Sequence, residues 1–551
     1  MTAPTTPDAK ASMTRIAPLT HSRSARRARC RPASLWSALL FAALLWPGCA
    51  LFVPRPPVLP TPDDAPELPP EDDDATAADW GASDTAPLRL DALDDAFAAA
   101  TPNDFAQRTA ESLHTFSLAN GIPVIVRPLP DNRLVSVNAV FRGGAALTTL
   151  EQAGIEEVML NTMMRASVPH SYDDITARLD DTSSGMECRA HFDYATCTLR
   201  TLDRYVDDLL PLFAAGLLQP RFDEADFRFI LAEARLAQQG IQQDPWRKTA
   251  QVLNEHFFAN HPYAARLDGT EASLANMTLN DVREHYARTF SANRMLLVVV
   301  GNVDVAALRT ALEGHFGAIP DHAVPVLRTP PAFAHDAASR LVKVPFAASR
   351  GVAYLRGDFA APAVDHPDYP ALLLAAHMLN DLLFNVVRDQ HGAAYSVGMG
   401  VRSFKANYGS FSVYKTTQPQ QVKQLIDSAV ATLAAGQVMS MAPEPDAGPA
   451  PRQPIAEAID VYKAMYTNNT YRGVATTRGV ASLLINAAVL REDPRAWLLE
   501  MDRVQAVTPD DIMRAVRHWL VEGGITWVVL GADDVIDPVR QSDFAKGTAA
   551  P

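Results

Sequence analysis

The segment Thr278-Leu279-Asn280-Asp281-Val282 opens a helical pattern that runs into the apolar stretch Met295-Leu296-Leu297-Val298-Val299-Val300 and closes on Gly301-Asn302-Val303-Asp304. A threonine with an acid three residues on is the signature of a capped helix start, and six consecutive apolar residues bounded by turn formers read as a buried strand. The same order recurs at Thr508-Pro509-Asp510-Asp511-Ile512 and ends at Trp527-Val528-Val529-Leu530-Gly531-Ala532-Asp533-Asp534. The spacing is 511 − 281 = 230 at one end and 531 − 301 = 230 at the other, so the copies align without a gap. A period of that length is too long for a solenoid and predicts a duplicated domain.

Working outward, the first copy is expected over residues 105–325, a Pro-rich linker over 326–340, the second copy over 341–537, and a tail over 538–551. Residues 441–454 are of low complexity and predict an exposed loop inside the second copy. Strand patterns such as 123–127 and 135–141 mix with helical ones such as 173–179 and 205–218, which argues for an α+β fold in which helices cover a mostly antiparallel sheet in each copy.

The chain of 551 residues is 48% hydrophobic and 20% charged, which is too apolar for a disordered protein and too long for one core. Its net charge of −14 argues against a nucleic-acid partner, because nothing could neutralise a run of phosphates. Residues 1–49 read as an export signal: Arg23, Arg26, Arg27, Arg29 and Arg31 precede an apolar run that ends at Trp46-Pro47-Gly48-Cys49. Gly48-Cys49 resembles the end of a bacterial lipobox, which would lipidate Cys49 and hold the protein in the cell envelope, either at the inner membrane or on the periplasmic side of the outer membrane, the latter fitting Ala50, where an Asp often retains lipoproteins at the inner membrane. The alternative is a secreted periplasmic protein with a buried Cys49. Residues 50–104, rich in Pro, Asp, Glu and Ala, are expected to be an extended tether.

Cys188 and Cys197 flank His191-Phe192-Asp193-Tyr194 in an alternating pattern that predicts a hairpin. With Phe192 and Asp193 as the turn, residue 188 lies opposite 197. Either a disulfide or two buried thiols satisfies that register.

The order of motifs across residues 110–537 resembles the pitrilysin/insulinase superfamily of zinc peptidases, M16, and so implies two M16-type domains. The carrying pieces are Leu118-Ala119-Asn120-Gly121-Ile122-Pro123-Val124, Phe141-Arg142-Gly143-Gly144-Ala145, Gly154-Ile155, His261-Pro262-Tyr263, Gly269-Thr270, Leu383-Phe384-Asn385-Val386-Val387-Arg388 and Gly392-Ala393-Ala394-Tyr395-Ser396-Val397. Active members carry His-x-x-Glu-His just after the pair matched by Gly154-Ile155, in which two imidazoles hold zinc and the Glu deprotonates bound water. Here those positions read Glu157, Val158, Met159, Leu160 and Asn161. Leu160 stands in place of the base and Asn161 in place of an imidazole. The distal ligand position falls near Ala237, with Glu233 one turn early. No catalytic or metal residue is therefore expected in this chain, and zinc is expected in a partner. Glu255, His256 and His261 do not share a helical face and read as helix-end residues rather than a metal site.

Arg388 and Tyr395 remain. In heterodimeric members of the family the subunit without the zinc motif uses such a pair to bind substrate backbone near the partner's zinc. A guanidinium fork and a phenol can orient a peptide carbonyl or stabilise an oxyanion. The resemblance thus implies a non-catalytic subunit that positions peptide for a partner bearing His-x-x-Glu-His. The alternatives are an envelope scaffold of the same fold without proteolysis, or a metallopeptidase with a rearranged site.

Overall fold

The computed structural model describes Phe97 and residues 103–322, 324, 330–335, 338–440 and 451–545. These lie in one compact unit, Ala78–Pro551, which contains both expected copies. The export signal, Cys49 and most of the tether fall outside the described residues.

Six strands build the first sheet: β1 (His114–Ser117), β2 (Pro123–Pro128), β3 (Leu134–Arg142), β4 (Gly185–Ala190), β5 (Tyr194–Leu202) and β6 (Met295–Gly301). They lie in the order β1-β2-β6-β3-β5-β4, with β2 and β6 parallel and every other pair antiparallel. The second sheet uses β7 (Arg340–Pro345), β8 (Ala353–Ala360), β9 (Ser396–Val401) and β10 (Tyr408–Thr416). A two-stranded ribbon, β11 (Gln437–Met439) with β12 (Arg452–Pro454), and then β13 (Thr526–Gly531) complete the strands. The order β7-β13-β8-β10-β9, with β7 and β13 parallel, repeats the first sheet strand for strand once β1 is set aside. Both sheets are therefore mixed and covered by helices.

The quoted repeat lies where its chemistry predicts. Thr278 and Thr508 each accept from the backbone N–H of Asp281 and Asp511, whose carboxylates return the bond. The helices behind them lead to β6 and β13, central strands with nearly every residue buried. A central strand buried on both faces needs no polar alternation, which is why these runs are continuously apolar.

Each sheet buries one face under helices of its own half. Val124, Val137, Phe141, Leu297 and Val299 face the first core with Leu160 and Phe213. Leu355, Phe411, Trp527 and Val529 face the second with Leu379 and Leu383. The opposite faces are covered by exchange. Ile125, Val140, Leu296, Val298 and Val300 pack against Val480, Leu484, Ile485 and Leu498, from the helices Thr477–Leu490 and Ala496–Ala506 of the second half. Reciprocally the helix Pro245–Phe257 of the first half lays Val252 and Leu253 on Val528. Each such aliphatic side chain stabilises the arrangement by about 1.5–3 kcal/mol relative to exposure.

Three expectations change at the boundaries. The tether does not reach residue 104, since Phe97 is buried against the exchanged helices and lies 4.9 Å from the Arg495 guanidinium. The tail does not begin at 538, because Val539 and Phe544 are core residues and the Phe544 ring packs on Trp527 at 5.7 Å. The low-complexity patch ends in β12, whose backbone pairs with β11, so its last residues are ladder rather than loop.

The hairpin forms in the expected register. Cys188 pairs with Cys197 in the ladder, His191 donates its N–H to the Tyr194 carbonyl at 2.8 Å, and a disulfide joins the two cysteines on the first core's side. Gly143 and Gly144 bend the end of β3 with positive φ. A Cβ on Gly144 would collide with the backbone of His191 and Tyr194, so the close approach to the hairpin requires glycine.

Candidate functional site

The positions of the family's zinc motif lie on the helix Ile155–Met163, held between the first core and β4. Leu160 is fully inside that core. Glu157 accepts the N–H of Ala190 at 2.6 Å, and Asn161 donates its amide to the Glu157 carboxylate at 3.2 Å. Burial pushes the Glu157 carboxyl up, against the lowering effect of these two donors. The acid is thus spent on an edge peptide of β4 and the amide is spent on the acid. A zinc ion requires lone pairs directed at one point; here one side chain has none, and the others are turned to each other and to the backbone.

The distal position fits no better. Glu233 and Ala237 are exposed on the helix Glu224–Gln243, while the buried Gln238 donates to the Asp268 carbonyl at 2.9 Å. Glu255 accepts from Gln251 at 2.8 Å, and both ring nitrogens of His261 are engaged, one with the Pro331 carbonyl and one with the Tyr263 N–H. Among the described residues no group of three or more His, Cys, Asp or Glu is arranged to hold a metal ion. The donor set does not fit zinc.

Sequence reading missed the residue beside the motif. Glu156 is buried and joins three segments: its carboxylate accepts from Arg294 at 2.6 Å and contacts His285 Nε2 at 2.5 Å. Burial would raise this carboxyl, but the Arg294 charge and the His285 bond outweigh it and hold it down to about 2. Arg288 donates to His285 Nδ1, so the imidazole presents its proton to Glu156. The first-turn pair Glu156-Glu157 gave no sign of this, because the partners lie about 130 residues away.

The Arg388 and Tyr395 pair comes together. The helix Asp368–Leu383 widens into a π-helical turn, Phe384–Gln390, directly before the link to β9. Arg388 lies in this turn. Its guanidinium stands 5.0 Å from the Phe384 ring and 5.7 Å from the Tyr395 ring. Arg388 is exposed, as are Phe384 at 46% and Tyr395 at 67%. An exposed arginine between two exposed rings is a preformed contact surface, worth about 0.5–1 kcal/mol of cation–π attraction per ring.

The edge of β9 beside this pair is partly closed. Asn380 donates to the Met399 carbonyl at 2.9 Å and accepts the Met399 N–H at 2.7 Å. Asn380 does to β9 what Glu157 does to β4: in each half a helix side chain occupies a peptide group on the outer edge of the sheet, Met399 within β9 and Ala190 at the end of β4.

Comparison with known proteins places this architecture. Residues 276–437, running from just before the helix that leads to β6 to the first residue of β11, match the Peptidase M16 inactive domain. YmxG of Bacillus subtilis, described as an uncharacterized zinc protease, is 21% identical over 326 residues, covering 58% of this chain and 77% of that protein. A non-peptidase homolog, YmxG, of Helicobacter pylori is 22% identical over 204 residues. These matches relate the chain to the M16 peptidase family. The H. pylori match spans 36% of this chain and less than half, 46%, of that relative. The M16 inactive domain structure from Pseudomonas fluorescens superposes with a TM-score of 0.66 at 17% identity, over 76% of this chain and 98% of the other, which shows a shared fold. A match to an inactive domain and a relative described as a non-peptidase are both consistent with a chain that holds no zinc of its own.

Proposed function

We propose that this M16 chain is the non-catalytic subunit of an envelope zinc peptidase, built from two duplicated M16-type domains, that binds an extended peptide and presents it to a partner carrying His-x-x-Glu-His. The observation that carries this reading is the exposed Arg388 held between Phe384 and Tyr395. A π-helical turn carries the cation and the link to β9 carries the phenol, both exposed, at the positions where the family resemblance expects peptide-binding groups. The motif helix supports the same reading from the other side, since its Glu157 and Asn161 are structural and its Leu160 is core.

In this reading the chamber is completed by the partner, zinc stays with the partner, and Cys49 anchors the pair through a lipid. The test is purification of the tagged chain from detergent-solubilised membranes, followed by peptide turnover with whatever co-elutes. A stoichiometric His-x-x-Glu-His protein, with turnover impaired by Arg388→Ala and complex formation intact, supports the role. Normal turnover by that variant refutes it.

A second reading, a scaffold without proteolysis, is favoured by Asn380, which closes the β9 edge at Met399 to an added strand. It predicts a stable envelope partner that has no zinc motif.

A further inference from the structure

The exchanged face of the first sheet carries a cleft that the Arg388 site does not use. A cavity of about 260 Å3 lies between β3, β4 and β5 and the helix Thr477–Leu490. Its floor is Ser136, Asn138 and Thr198, and its rim carries Arg189, Arg200 and Arg478. The floor is satisfied internally: Thr198 donates to the Asn138 side-chain carbonyl at 2.9 Å, and the Asn138 amide donates to the Val298 carbonyl at 2.9 Å. The rim therefore sets the chemistry. Arg200 is paired with Glu187 at 2.7 Å, while Arg189 and Arg478 form no ion pair among the described residues. Three guanidiniums against one carboxylate make this cleft locally cationic on a chain whose net charge is −14.

Two further features point the same way. Arg478 stands in the first turn of its helix, where the peptide dipoles favour an anion and disfavour a cation. A bound carboxylate there would satisfy both the arginine and the helix end. Next to the cleft, β4 is the outer strand of its sheet. Ala190 directs its N–H outward to Glu157, and by the alternation of an antiparallel ladder Met186 and Cys188 direct theirs outward too. A peptide strand laid there would turn alternate side chains toward the face that carries Glu187 and Arg189.

We propose that this cleft selects acidic side chains, so that the ligand class is an extended peptide with Glu or Asp at alternate positions. The inference rests on the peptide-binding function above and names its substrate class. The cleft guanidiniums would take the carboxylates while the β4 edge holds the backbone.

The experiment is fluorescence anisotropy of the full chain with a fluorescein-labelled peptide alternating Glu and Val, against its Gln and Lys counterparts, at low and high salt. The Glu peptide is expected to bind best, with a preference that shrinks as salt rises. The exposed double variant Arg189→Gln, Arg478→Gln is expected to weaken the Glu peptide by roughly 5- to 25-fold and to leave the Gln peptide unchanged. Equal affinity for the Glu and Gln peptides, or no effect of the double variant, overturns the acidic selectivity while leaving the peptide-binding function standing. Binding of none of the three peptides overturns both. Free glutamate or inorganic phosphate competing as well as the peptide overturns the peptide assignment in favour of a small-anion site.

Discussion

Replacing Glu156 with glutamine keeps the shape of the side chain and removes its charge from a site where Arg294 is 1% exposed and His285 equally enclosed. The carboxyl falls from an ordinary 4.5 to about 2 on folding, a displacement of about 2.5 pH units, or about 3 kcal/mol of stabilisation at neutral pH. Breaking one partner of a buried pair costs a similar 3–5 kcal/mol or so, because the remaining charge stays in the interior without compensation. Because the folded value is the lower one, the contribution is complete above about pH 4.5 and disappears as pH falls through about 2. For one cooperative unit of roughly 450 residues, with an unfolding entropy of about 2.1 cal/mol/K per residue, a 3 kcal/mol loss lowers Tm by about 3 °C. Calorimetry of Glu156→Gln at pH 7 should show that drop, and the variant's stability should depend less steeply on pH than the parent's between pH 4.5 and 2. The double variant Glu156→Leu, Arg294→Met should recover most of the loss, since apolar groups of similar volume can replace a buried pair at little cost. A Tm indistinguishable from the parent's, within about 0.5 °C, for Glu156→Gln would refute this account of Glu156, Arg294 and His285.

Other substitutions probe separate parts of the argument. Arg388→Ala and Tyr395→Phe should each change stability by less than about 0.5 kcal/mol, because both side chains are exposed, while peptide processing by the assembled pair falls; a large stability loss on chemical denaturation would recast them as structural. Leu160→Glu, made to restore the family's base, should destabilise by about 3 kcal/mol or more and create no zinc site, as read by isothermal titration with zinc, because the new carboxyl enters the core beside a Glu157 already committed to Ala190. Reducing the Cys188–Cys197 bridge reopens a short loop and should cost about 2–3 kcal/mol, seen as a lower Tm in dithiothreitol and absent in a Cys188→Ser control. Gly357→Ala should be poorly tolerated, with reduced yield of folded protein, because a Cβ there meets the Trp527 ring at 2.6 Å inside the second core.

The parts of this molecule that were legible in the sequence are those whose cause is local. Thr278 with Asp281 and Thr508 with Asp511 announce helix starts by a bond that closes within four residues. The unbroken apolar runs of β6 and β13 announce central strands by burial on both faces. The hairpin register around Phe192 and Asp193 follows from turn length alone. Arg388 and Tyr395 were legible as a pair only through the family resemblance, and the contact of Arg388 with Phe384 lies in a widened turn that no residue pattern signals. What stayed hidden has partners far along the chain. Glu156 looks like a solvated first-turn acid until β6 delivers Arg294, and Trp246 looks like a first-half residue until its ring meets Arg356 and Tyr414 of the second.

The exchange of covering helices has a consequence for the newly made chain. By the time Val300 has been synthesised the first sheet has its strands in hand, but the exchanged helices that close its second face contribute their first residue at Val480, 480 − 300 = 180 positions later. At about 5–20 residues per second, that leaves Ile125, Val140, Leu296, Val298 and Val300 without those helices for roughly 10–40 seconds. During that interval the nascent first half is a sticky intermediate rather than a finished domain, and a gene cut at the linker would make the interval permanent for both products.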